Sequence, residues 1–70
     1  MWIRSQDRKL LTKVNDVLIA NGSRVFIDCY TLGTYSTQEK ALLVLDMIEK
    51  VAMYPGNTLF QMPDDDEVEV

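Results

Sequence analysis

Ser36-Thr37-Gln38-Glu39-Lys40-Ala41-Leu42-Leu43-Val44-Leu45-Asp46-Met47-Ile48-Glu49-Lys50-Val51-Ala52-Met53 is the stretch whose reading decides the fold. It opens like a helix N-terminus. The Ser36 hydroxyl can accept the backbone N–H of Glu39, whose carboxylate can return to the Ser36 N–H in a capping box. A carboxylate in the first turn also sits near the positive end of the helix dipole. Pro55-Gly56 ends the pattern, so the spacing predicts one helix over about 37–53. Its apolar side chains, from Ala41 to Ala52, span roughly 200° of the helical wheel, where one sheet face requires a stripe of about 100°. The excess predicts a second contact surface. The expected cover is the same helix of another subunit, meeting Leu43, Met47 and Val51.

On the N-terminal side, Trp2–Ser5 and Leu10–Val14 read as short strands joined by the polar turn Gln6-Asp7-Arg8-Lys9. Asn15-Asp16 punctuates the chain. Val17–Ala20 and Arg24–Cys29 then flank Asn21-Gly22-Ser23, a strong hairpin signal because Asn and Gly tolerate positive φ. Alternation places Val25, Ile27 and Cys29 on one face of the second run. Leu32–Tyr35 reads as a short strand or an extended lead into the helix. Beyond the turn Tyr54-Pro55-Gly56-Asn57, Thr58–Met62 reads as a last strand, ended by Pro63. The fold class is therefore α+β: a small antiparallel sheet of four to five short strands packed on one helix. Residues 1–63 form the expected domain, and residues 64–70 an acidic, flexible tail.

Seventy residues make one domain at most. A chain this short buries only about 60% of its unfolded surface, so its core needs a supplement. Cys29 is the sole cysteine and histidine is absent, which excludes an internal disulfide and a zinc site. What remains is close packing or a second copy of the chain, and a homo-oligomer is expected. No segment approaches the roughly 18 consecutive apolar residues of a membrane span. The opening residues carry no apolar run of the kind a signal peptide needs, and a lone cysteine suits a reducing compartment. A cytoplasmic location is the expectation.

The search for chemistry is short. Without histidine no serine or Cys29 has an obvious base, and nothing in the pattern gathers two carboxylates for acid–base work. The acids of 64–69 lack the loop glycine and alternating ligands of a calcium site, and Gly22, Gly33 and Gly56 form no phosphate loop. The reading is a protein that is no enzyme and takes neither metal nor cofactor.

Binding is better served. Residues 1–24 carry five basic side chains against two acidic ones, net +3, whereas residues 25–70 carry two against nine, net −7. Trp2, Arg4, Arg8 and Tyr35 are the candidate ligand contacts, since aromatic planes and guanidinium forks stack on bases and grip phosphates. The competing reading has Trp2 and the tyrosines simply closing a small core. The acidic tail can mimic nucleic-acid phosphates, or merely solubilise. Direct DNA binding is opposed by a sequence pI near 4.5.

The opening Met1-Trp2-Ile3-Arg4-Ser5-Gln6-Asp7, the segment Leu32–Leu45 and the ending Gln61-Met62-Pro63 resemble short uncharacterised proteins of Gram-positive bacteria and their phages. The resemblance spans both ends and the middle of the chain, with no catalytic or binding motif attached. It implies a phage or prophage setting, in which small proteins block host defences by sequestering a nucleotide signal or by binding a defence protein.

Overall fold

The computed structural model describes residues 1–14, 17–53 and 58–69. The α+β class is as read from the sequence, but the strands divide into two three-stranded sheets. The first has the order β2-β1-β6, from β1 (Trp2–Arg4), β2 (Leu11–Lys13) and β6 (Leu59–Gln61). The second has the order β3-β4-β5, from β3 (Leu18–Asn21), β4 (Arg24–Ile27) and β5 (Tyr30–Thr34), and α1 (Gln38–Ala52) packs on β3 and β4. β1 pairs antiparallel with β2 but parallel with β6, a departure from the all-antiparallel expectation. Nearly the whole chain, α1 included, lies between these two parallel strands, which is the long crossover such a pair requires. The expected linkers at Asn15-Asp16 and Tyr54–Asn57 lie outside the described residues.

Two tight turns set the second sheet. Asn21 pairs with Arg24, so the β3–β4 loop is Gly22-Ser23, one residue on from Asn21-Gly22. Gly22 has φ +61 there, as the first position of a type II′ turn requires. Ile27 pairs with Tyr30 across Asp28-Cys29, with Asp28 at φ 53. This second turn overturns the expectation that β4 runs on to a buried Cys29: the thiol is exposed. The β4–β5 register slips between Val25 and Phe26, leaving Leu32 as the extra residue of a bulge, so that both Leu32 and Gly33 are buried.

Ile3 and Phe60 come inward from the first sheet and Val25, Ile27 and Leu32 from the second. They meet Ala41, Val44 and Ile48 of α1 in one core, which Tyr35, Met62 and Val68 complete. Gly33 makes the Tyr35 position possible. A Cβ on Gly33 would lie 3.0 Å from the Tyr35 ring and 3.2 Å from the Met62 methyl.

The helix cap falls one residue later than the capping-box reading. Thr37 is the N-cap, with extended backbone (φ −137, ψ 157), and its Oγ1 accepts the Lys40 N–H at 3.2 Å. The Ser36 N–H instead donates to Asp65 Oδ1 at 2.7 Å. Thr37→Ala should therefore cost about 0.5–2 kcal/mol through loss of the cap. Ser36→Ala keeps both the cap and the Ser36 N–H, so thermal unfolding should show the smaller loss for that variant.

The acidic segment is docked where a flexible tail was expected. Asp65–Glu67 form a 3₁₀ turn, closed by the Asp64 N–H donating to Glu67 Oε1 at 2.9 Å. Lys40 Nζ donates to the Asp65 carbonyl at 2.9 Å and lies 3.5 Å from its carboxylate. Val68, two residues before the end of the sequence, is only 5% exposed. Part of the excess apolar arc on α1 thus faces the chain's own acidic segment, because Glu67–Glu69 line a groove with Leu43 and Met47.

Candidate functional site: the outer face of the first sheet

Alternation along β1 sends Ile3 into the core and Trp2 and Arg4 outward. Trp2 stands opposite Lys13 on one side and Leu59 on the other, and Arg4 stands between Leu11 and Gln61. The outer face of these three strands therefore holds an indole, two aliphatic side chains, an amide and two cations, and no acid. Among the described residues no helix covers it: α1 packs on β3 and β4, and Trp2, Leu11 and Leu59 are 39%, 52% and 61% exposed. Trp2, Arg4, Leu11, Thr58 and Leu59 bound an open groove of about 370 Å³. Among the described residues neither Arg4 nor Lys13 has an acidic partner within ion-pair distance. Exposed apolar side chains gathered around unpaired charge mark an interaction surface more often than scattered ones do.

Of the four candidate ligand contacts, only Trp2 and Arg4 come together. Arg8 sits at φ 66 in the turn after β1, donates to the Gln6 carbonyl at 3.4 Å and lies 3.7 Å from Asp64 Oδ1. Tyr35 is a core residue, 4% exposed, whose hydroxyl donates to the Pro63 carbonyl at 2.9 Å. Burial, and then the nearby carboxylates of Asp64, Asp65 and Glu67, push its phenol far above the usual tyrosine range, so it stays protonated. Arg8 and Tyr35 thus both meet the Pro63–Asp64 corner, away from Trp2 and Arg4. Lys13 was missed. The signal was present: a β1–β2 hairpin closed at Gln6–Lys9 puts Lys13 on the same face as Trp2 and Arg4. That turn is set by Ser5, whose Oγ donates to Asp7 Oδ1 at 2.5 Å and accepts the Leu10 N–H at 3.0 Å.

The expected interface residues divide as well. Val51 is half-buried against the core, while Leu43 and Met47 border the groove beside Glu67–Glu69. Further round α1, Leu42 and Leu43 form the floor of a second open groove of about 400 Å³ bounded by Glu39, Asp46 and Glu69.

Asp65 ties the acidic segment to this helix. The Ser36 N–H first, then the Ser36 hydroxyl and the Lys40 ammonium, hold its carboxyl below the usual aspartate range. A depressed folded value gives stability that is present above the unfolded pKa and lost as pH falls through the folded one. Below about pH 4, where free aspartates protonate, the segment should loosen first. Hydrogen exchange should show Glu67–Glu69 losing protection at a higher pH than Phe60, and Asp65→Asn should remove that difference.

Among the described residues, no group of three or more histidine, cysteine or acidic side chains is placed to hold a metal ion, and no helix is long and apolar enough to cross a membrane. No protein-family model, no curated protein and no solved structure matches this chain.

Proposed function

We propose that this chain is a non-enzymatic binding protein that captures a small nucleotide-like anion on the outer face of the β2-β1-β6 sheet. One observation carries the reading: an exposed indole has two cations as neighbours, Lys13 across the strand pair and Arg4 along its own strand, on strands without acids. Trp2 offers the base a stacking plane, while Arg4 and Lys13 take the phosphate. A net charge of −4 favours a small anion over a polymer, whose affinity rests on neutralising many phosphates. The resemblance to short proteins of Gram-positive bacteria and their phages supports a setting inside a host cell. There, sequestering a nucleotide signal blocks a defence by stoichiometry alone.

A second reading has its own support in the acidic groove around Leu42 and Leu43, which suits a basic host protein. Calorimetry with a panel of linear and cyclic nucleotides tests the first reading. Saturable binding that Arg4→Ala weakens and Arg8→Ala leaves unchanged is the expected result. Flat titrations across the panel would discard it.

A further inference from the structure

The two open grooves are complementary to each other. One has apolar walls from Trp2, Leu11 and Leu59 and carries Arg4, with Lys13 beside Trp2. The other has an apolar floor from Leu42 and Leu43 and three carboxylates, those of Glu39, Asp46 and Glu69, with no cation. None of these five charged side chains has an ion-pair partner among the described residues, in contrast to Arg8 and Lys40, which face Asp64 and Asp65.

We propose that copies of this chain associate head to tail, the cationic sheet face of one seated on the acidic helix groove of the next. Charge decides between this and a pairing of like faces. Two sheet faces together would oppose cation to cation, and two helix grooves would oppose three carboxylates to three. Only the unlike faces attract, and opposed like charges at an interface are strongly repulsive. That argument also replaces the helix-on-helix pairing expected from Leu43, Met47 and Val51. A contact between different faces leaves one of each unfilled at the ends. The assembly therefore grows until a ring closes, which two copies already achieve if each seats both of its faces on the other, or continues as a filament. The inference does not rest on nucleotide capture, although a nucleotide on the sheet face would compete with the neighbouring copy.

The test uses the full chain without nucleotide in sedimentation velocity. Wild-type protein should show a sedimentation coefficient that rises with concentration. The rise should shrink when salt is raised from about 0.1 M to about 1 M, which shortens the screening length from about 10 Å to about 3 Å. Arg4→Glu and Asp46→Lys change exposed residues on the two faces. Each alone should weaken association by about tenfold or more, with circular dichroism unchanged. An equimolar mixture of the two should associate again, because each supplies a face the other lacks. A wild-type chain that stays monomeric into the millimolar range would overturn the proposal. So would variants that assemble like wild type, or a mixture that stays monomeric. Asp46→Lys keeps its sheet face, so its nucleotide titration separates failure of this inference from failure of the capture reading.

Discussion

Tyr35→Ala should leave little folded protein at ambient temperature. The ring is 4% exposed and fills the space opened by the missing side chain of Gly33, against the Met62 methyl. Truncating a buried aromatic costs about 3–5 kcal/mol, because a cavity remains where the ring was. At roughly 0.05–0.15 kcal/mol per residue a domain of this size holds only about 3.5–10 kcal/mol in total. The loss is therefore comparable with the whole stability of the fold. Tyr35→Phe separates the parts. It keeps the packing and removes only the donor to the Pro63 carbonyl, which still has the Gln6 side-chain amide at 3.3 Å. That change should cost about 0.5–1.5 kcal/mol. Urea titration monitored by circular dichroism orders the three proteins. Equal losses for the two variants would mean that the hydroxyl, not the ring, secures the corner.

The other large effect is expected at Arg4. A hydrogen bond between charged groups contributes about 1.5–3 kcal/mol, so Arg4→Ala should weaken nucleotide binding by about 10- to 150-fold. Trp2→Ala should cost a similar amount, about 1–3 kcal/mol, through lost stacking. Arg8→Ala should have no effect, since that guanidinium faces Asp64. Trp2 is the only tryptophan, so its fluorescence reports occupancy of this face without a label. A ligand that binds with unchanged fluorescence, and equally well to Arg4→Ala, would move the site elsewhere on the molecule.

Periodicity made some elements legible before any coordinates. The helix is recovered to within one residue at each end, and the first two strands lie within the stretches read for them. What escaped depends on contacts distant in sequence. Nothing local to Leu59–Gln61 announces a parallel partner at Trp2–Arg4, because a strand's pattern of burial is the same for either direction of pairing. Thr37, not Ser36, is the cap, and Asp65, 29 residues on, takes the Ser36 N–H. A run of acids reads as solvated unless one knows that Lys40 and Ser36 wait for Asp65, and that Val68 has a place in the core. For the site, residue types were the easy part. Separating Tyr35 and Arg8 from Trp2 and Arg4 required the face each occupies.

The parallel seam between β1 and β6 also sets the order of events during synthesis. Trp2–Arg4 is made before its partner Leu59–Gln61, which follows more than fifty residues later. Until then the central strand of that sheet has one neighbour, and the inward faces of Ile3 and Phe60 cannot meet. Contacts so far apart along the chain carry a loop-closure cost before they return any stability, and they slow folding. The hairpins around Gly22 and Asp28, together with α1, are local and can form early. The sheet that carries the candidate site is therefore expected to close after them.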